Sequence, residues 1–262
     1  MENLNIEAVF FDIDGTTYEH YNHEISLSTQ EALTELKRKG YKVCFVTGRS
    51  FYEMKFLPPF YANFDYDALI SDGGSIIRMN GEIVNELPVS NNDLKAVIDY
   101  CTINNITLRY TLKDSVYFMP NADQNVKDIF FKLYLFCPTI RKYTEGSVYN
   151  VLAYTHNEKE KDDIAKLLHD SSFLDLKDCL EILNVNAGKH LGIENVLKIW
   201  DLSMSDCIAF GDGYNDIPML TSVGYGIAMG NANEELKKCA WKVCLPINED
   251  GIYKILNEYH II

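Results

Sequence analysis

Asp12 and Asp14 stand two residues apart directly after the apolar run Ala8-Val9-Phe10-Phe11, and Asp212 stands directly after Cys207-Ile208-Ala209-Phe210-Gly211. Acidic pairs at that spacing are common on solvated loops, so the pair alone says little. Its context says more, because a carboxylate at the end of a buried strand is disfavoured unless something binds it. Three carboxylates converging from adjacent strand ends repel one another and call for a cation. Hard oxygen ligands at few protein positions suit Mg²⁺, which keeps waters and shares the phosphate oxygens of a substrate. Asp216 follows Asp212 by four, and a helix beginning after Gly213 would stack the two on one face.

The elements that must position these groups follow one grammar. Ala8 to Phe11, Val43 to Val46 and Ala68 to Ile70 are short unbroken apolar runs that suit strands buried on both faces, and polar clusters follow each: Asp12, Thr47-Gly48-Arg49 and Ser71-Asp72-Gly73-Gly74. Ser28 to Lys39 reads as a helix opened by a Ser28–Glu31 capping box and stopped by Gly40. The pattern returns at Cys207 to Phe210 and at Gly226 to Met229. Apolar strands alternating with helices predict an α/β fold, a doubly wound parallel sheet whose ligands gather outside the carboxyl ends of its strands.

The texture changes between about Ile83 and Asn184. Helices are predicted over 92–105, 126–136 and 159–168, and strands over 106–112, 115–119, 148–154 and 181–183. No polar cluster there has catalytic spacing. We read residues 1–82 and 185–262 as the core domain and 83–184 as an inserted α+β cap, with short connections near Gly81 and Val185 that let it hinge. The cap aromatics Tyr110, Tyr117 and Phe118 are read as core side chains.

Composition narrows the classes. The 262 residues, 47% of them hydrophobic, can fill a sizeable core. A formal charge of −14 argues against non-specific nucleic-acid and anionic-membrane partners. The seven Cys, odd in number and without a Cys-x-x-Cys pair, do not form a disulfide framework. Met1 to Glu7 lacks a signal-peptide pattern, and no apolar run approaches a membrane span, so a cytoplasmic location is expected.

Taken together, Asp12-Ile13-Asp14-Gly15-Thr16, Thr47-Gly48-Arg49, Lys189 and Gly211-Asp212-Gly213-Tyr214-Asn215-Asp216 resemble, in order, the four motifs of the haloacid dehalogenase (HAD) superfamily, in particular its Cof-type phosphatases (class IIB) with a C2 cap. Ile227-Ala228-Met229-Gly230-Asn231-Ala232 and Asn248-Glu249-Asp250-Gly251 also match that pattern. The resemblance implies that Asp12 attacks phosphorus to give an aspartyl-phosphate, and that Asp14 moves the proton. Mg²⁺ would be held by Asp12, Asp212 and Asp14, the last through its backbone carbonyl. Ile13, Thr47, Gly48, Lys189 and Asn215 would bind phosphate, with Lys189 neutralising charge and Asp216 orienting Lys189 or a metal-bound water. Asp rather than Thr at position 14 favours esters with poor alkoxide leaving groups over ion pumping.

The implied substrate is a small phosphorylated metabolite, such as a sugar phosphate or phosphorylated cofactor. A phosphomutase using the same intermediate is the alternative, and a non-catalytic phosphometabolite sensor a more distant one. Thr47 could instead cap a helix and Asn215 serve only a turn. Arg49 is expected to pair with an acidic neighbour. Two positions depart from the family pattern: His190, read as a solvated first-turn residue, and Asp72, expected to face the entrance and disfavour acidic substrates.

Overall fold

The computed structural model describes residues 4–262, so the first three residues of the Met1–Glu7 stretch lie outside it. Strand β1 (Ala8–Phe11) leads through helix α1 (Leu27–Arg38) to β2 (Lys42–Val46), then α2 (Pro59–Asn63), β3 (Ala68–Ser71), β4 (Ile76–Met79) and β5 (Glu82–Glu86). A second unit follows: α3 (Asn91–Ile103), β6 (Thr107–Leu112), β7 (Ser115–Phe118), α4 (Gln124–Tyr134), β8 (Thr139–Ile140), β9 (Asn150–Tyr154), α5 (Glu158–Ala165), β10 (Ser171–Asp175) and β11 (Leu180–Asn184). The chain then returns with α6 (Lys189–Trp200), β12 (Cys207–Gly211), α7 (Ile217–Ser222), β13 (Tyr225–Ala228), α8 (Glu234–Cys239), β14 (Lys242–Val243) and α9 (Gly251–Glu258).

The first sheet has the order β14-β13-β12-β1-β2-β3-β4-β5. Its pairings from β14 to β3 are parallel, whereas β4 and β5 add antiparallel. These two strands are not evident in the sequence, and the first sheet runs to Glu86, past the 82/83 division. β1 is flanked by β2 and β12, which places its end at the point where the winding reverses. Alternation along β1 sends Val9 and Phe11 into a core with Leu33 and Leu36 of α1 and Ile252 and Leu256 of α9, while Ala8 and Phe10 face Ile193 and Val196 of α6 and Met219 of α7. Both faces are therefore covered, as its apolar run required. Fully burying Phe10 and Phe11 stabilises the fold by about 1.5–3 kcal/mol each.

Helix α1 corrects one expectation. Its N-cap is Ser26, whose Oγ accepts from Thr29 N–H at 3.2 Å, and Ser28 lies inside the first turn, where its Oγ donates to Asp250 Oδ1 at 2.6 Å. The cap lies two residues earlier than expected, because the exposed Leu27 opens the helix at a position the apolar spacing does not register.

The second sheet, β10-β11-β9-β6-β7-β8, is antiparallel except for the β7–β8 pair. Leu108, Tyr110, Val151, Ala153, Leu180 and Ile182 pack on one face with Leu94 and Val97 of α3 and Ile164 of α5. Tyr110 and Phe118 are buried core side chains, as read from the sequence, whereas Tyr117 is only half-buried, with Arg141 over its ring. The intervening residues Arg109, Asn150, Leu152 and Glu181 belong to the opposite face, as the two-residue strand period dictates. Among the described residues no helix is long and apolar enough to cross a membrane.

Candidate active site

β1, β2 and β12 end side by side, and the residues that follow them meet. Asp12, Asp14, Gly48, Asp212 and Asn215 line one cavity of about 530 Å³, whose far wall is the polar face of the second sheet with Arg109, Asn150 and Glu181. Asp12 is held by Lys189, whose Nζ lies 2.5 Å from Asp12 Oδ1 and 2.7 Å from Asp216 Oδ1. Lys189 is the first residue of α6, directly after the second unit.

Asp216 is not stacked with Asp212 on a helix face. Tyr214–Asp216 is a single 3₁₀ turn, and α7 begins only at Ile217, preceding Pro218. The chain instead folds back so that Asp216 Oδ2 accepts from the N–H groups of Asp212 and Gly213, both at 2.9 Å. Every oxygen of Asp216 is thereby engaged. Gly15 lies with φ of +77°, and a Cβ there would come within 2.2 Å of Asp212 Oδ2, so only glycine lets the loop after Asp14 pass this carboxylate.

The remaining motif residues divide. Thr47 is fully buried, and its Oγ1 accepts from Arg49 N–H at 3.0 Å. No helix starts at Gly48, so Thr47 caps none; the next regular turn is Glu53–Phe56, where the side chain of Glu53 accepts from Ser50 N–H and Oγ–H. Ile13 puts its side chain into the core, and its carbonyl accepts from the N–H groups of Thr16, Thr17 and Tyr18, so only its backbone can serve the cavity.

Arg49 does pair with an acidic neighbour, and that neighbour is Asp14. Nε lies 3.2 and 2.9 Å from its two oxygens, and Nη2 lies 2.6 Å from Oδ1. His20 Nε2 is 3.3 Å from the same Oδ1, while its Nδ1–H donates to Leu133 O at the end of α4 at 2.8 Å. The Tyr134 ring, next on α4, lies 4.6 Å from the Arg49 guanidinium. The second unit thus reaches the surroundings of Asp14 through two consecutive residues.

Burial and like charge set the electrostatics. Burial, reinforced by Asp216, raises the Asp12 carboxyl to about 7 despite Lys189. Burial and the Asp12 charge push Asp212 well above the usual carboxylate range. Burial acts on Asp14 in the same sense, but the Arg49 guanidinium outweighs it and holds that carboxyl below its ordinary value. Burial opposes the Lys189 charge, and Asp12 and Asp216 more than restore it.

A cation fits this donor set. Asp12, Asp212 and Asp216 offer carboxylate oxygens within 4.8 Å of one another. With Asp216 committed to Lys189 and the backbone, Asp12 and Asp212 are left as mutually repelling carboxylates that a divalent ion would relieve. The Asp14 carboxylate is turned to Arg49, which leaves its backbone carbonyl for that role.

Both departures from the family pattern differ from expectation. Asp72 does not face the entrance: it is fully buried with φ of +54°, accepts from Ser71 Oγ at 3.0 Å, and burial raises its carboxyl to about 7. His190 is half-buried, and burial lowers its imidazole below the ordinary value. Arg109, Asn150 and Glu181 also line the cavity, though no motif marks them. Their signal was present as polar residues at alternate positions of otherwise apolar strands. Arg109 pairs with Glu53 of the core and donates to Asn150 Oδ1 at 2.9 Å, and Asn150 Nδ2 donates to Glu181 Oε1 at 2.7 Å.

A doubly wound core with carboxylates at its strand ends and a lysine at the start of α6, facing an inserted α+β unit, is the arrangement of a haloacid dehalogenase-like hydrolase. The sequence profile described as haloacid dehalogenase-like hydrolase matches residues 9–256, and the chain belongs to that family. It is 28% identical over 268 residues to YkrA of Bacillus subtilis strain 168, named as a phosphatase, covering 99% of this chain and 100% of that one. It is 28% identical over 246 residues to the HMP-PP phosphatase of Shigella flexneri, covering 87% and 86%. The solved structure of the HAD subclass IIB sugar phosphatase BT4131 superposes with a TM-score of 0.87 at 26% identity, over 98% of this chain and 100% of that one.

Proposed function

We propose that this enzyme hydrolyses small phosphomonoesters, sugar phosphates foremost, in two displacements at Asp12 and with Mg²⁺ bound. The observation that carries the reading is the Lys189 ammonium held between Asp12 and Asp216 opposite Asp212. Asp12 and Asp212, with the Asp14 carbonyl, would hold the ion, which when bound neutralises charge on the phosphate oxygens.

A carboxylate oxygen of Asp12 forms a bond to phosphorus while the bond to the ester oxygen breaks, and Asp14, having taken up a proton from solvent against the pull of Arg49, delivers it to that oxygen. Water then attacks the aspartyl-phosphate, gives its proton to Asp14, and returns Asp12 as a carboxylate. Lys189 offsets the repulsion between Asp12 and the incoming dianion, and Gly48 N–H, Ile13 backbone and Asn215 stand where phosphate oxygens gather. Thr47 shapes that loop through its bond to Arg49 N–H. Asp216 orients Lys189. Residues 83–184 act as the cap that closes over the substrate. The relatives named above are phosphatases, which favours hydrolysis over mutase chemistry. Seven free Cys suit a reducing compartment, the cytoplasm.

The test is phosphate release from a panel of phosphorylated metabolites with and without Mg²⁺. Turnover that ignores the metal, or that survives Asp12→Asn, removes this reading.

A further inference from the structure

The cap wall of the cavity carries a carboxylate that the reaction does not use. Glu181 on β11 is 3% exposed, and its Oε1 accepts from Asn150 Nδ2 at 2.7 Å. It reaches the core: Oε1 lies 3.6 Å from where a Cβ on Gly48 would stand, and only 2.8 Å from one on Gly73, whose φ is +69°. Glu181 therefore sits directly over the Gly48 loop, which receives phosphate in the reading above. Among the described residues that line the cavity, His20, Arg49 and Arg109 each already face a carboxylate, and the unpartnered Arg49 Nη1 and Arg109 Nε are buried. The Arg109 guanidinium is matched by Glu53 and the Arg49 guanidinium by Asp14, each pair largely buried. Farther out, Asp178 adds another carboxylate to the lining, and Lys177 beside it lies over the Tyr214 ring and within 3.7 Å of Glu235.

We propose that Glu181, fixed by Asn150, is a specificity-determining residue that accepts a hydroxyl of the leaving group and rejects a leaving group carrying a second anionic substituent close to the ester. A hydroxyl donates to the free valence of the carboxylate, whereas a carboxylate or second phosphate meets like charge in a water-poor wall. Diphosphates, whose second phosphate adjoins the scissile bond, are disfavoured on the same ground. This rests on the phosphatase reading above and adds a substrate class to it: monophosphates of neutral polyols and sugars.

The matched pair glycerol 2-phosphate and 2-phosphoglycerate differs only by a hydroxymethyl or carboxylate on the ester-bearing carbon. Their competitive inhibition constants against p-nitrophenyl phosphate hydrolysis, with methyl diphosphate as a third probe, test the proposal in the Mg²⁺-supplied enzyme. The neutral polyol ester should bind at least about tenfold more tightly than 2-phosphoglycerate or the diphosphate, and Glu181→Gln should shrink that ratio to about threefold or less while Glu181→Asp retains it. Equal binding of the pair by the unaltered enzyme, no competition by either member, or a ratio that Glu181→Gln leaves intact overturns the role of Glu181. In each of those cases hydrolysis of p-nitrophenyl phosphate keeps the phosphatase reading standing. Absence of any monoester hydrolysis removes that reading and the proposal with it.

Discussion

Arg49 holds the Asp14 carboxylate by a fork, with Nε at 3.2 and 2.9 Å from its two oxygens and Nη2 at 2.6 Å from Oδ1. A planar guanidinium fixes the rotation of a carboxylate as a point charge cannot. Arg49→Lys should therefore lower kcat by about 10- to 100-fold with KM for p-nitrophenyl phosphate changed by no more than about threefold, since alignment and not ground-state binding is lost. Steady-state kinetics decide the matter. A raised KM at unaltered kcat would mean that Arg49 binds substrate instead of aligning Asp14.

Asp212 repels Asp12 and Asp216 in a buried setting, so a cation should matter for stability as well as for turnover. Thermal melts with EDTA and with millimolar Mg²⁺ should separate for the unaltered protein, by RT ln(1 + [Mg²⁺]/Kd). Asp212→Asn should melt about 2–4 °C higher than the unaltered protein in EDTA and lose the Mg²⁺ shift, because about 1 kcal/mol of repulsion disappears together with a ligand. A variant that still gains from Mg²⁺ places the ion elsewhere.

Glu53, before β3, and Arg109 of β6 join the two sheet units as an ion pair whose side chains are 1% and 3% exposed. Arg109→Met leaves the Glu53 charge buried without its partner, which costs about 3–5 kcal/mol in urea unfolding. Adding Glu53→Gln to that variant should recover most of the loss. If the double variant is no better than the single one, the loss comes from the missing bond to Asn150 and not from the stranded charge.

Asp67 ties the starts of β2 and β3 together by accepting from Val43 N–H at 2.9 Å, Lys37 Nζ at 2.7 Å and Lys42 Nζ at 3.1 Å. Burial alone would raise its carboxyl, but Lys37, the Val43 N–H and Lys42 together hold it below the ordinary 3.8. A folded value below the unfolded one contributes stability that is complete above about pH 4 and fades as the pH falls through the folded value. Asp67→Asn should accordingly cost about 1–3 kcal/mol at pH 7, with the two melting curves converging in acid. A difference that does not shrink as the pH falls below about 4 contradicts this.

Much of the core could be read before folding because its strands are short, apolar on both faces and stopped by polar clusters. β1, β2, β3, β12 and β13 each lie within a residue of their expected place, and the groups at their ends do meet. β4 and the edge strand β5 are hidden because Arg78, Glu82 and Glu86 break their apolar pattern, and β10 because Ser171 to Asp175 alternates too weakly. In the site, residue identity gave the partners of Lys189 but not the rotation of Asp14, which Arg49 and His20 decide from elsewhere in the chain. Asp72 was misplaced for a related reason: an acidic residue at a strand end is expected to find water, and here the cap covers it. Arg109, Asn150 and Glu181 are separated by tens of residues, and only the pairing of β6, β9 and β11 makes them neighbours.

The position of β1 between β2 and β12 also bears on how the protein is made. A ribosome delivers Ala8–Phe11 first and β2 soon after, but the strand for the other flank only at Cys207, nearly the whole chain later. Until then one edge of a fully apolar strand has no neighbour, and unpaired edges of that kind recruit other nascent chains. Synthesis of this enzyme should lean on chaperones that shield such an edge while the cap, whose sheet is closed by its own segments, can already have folded.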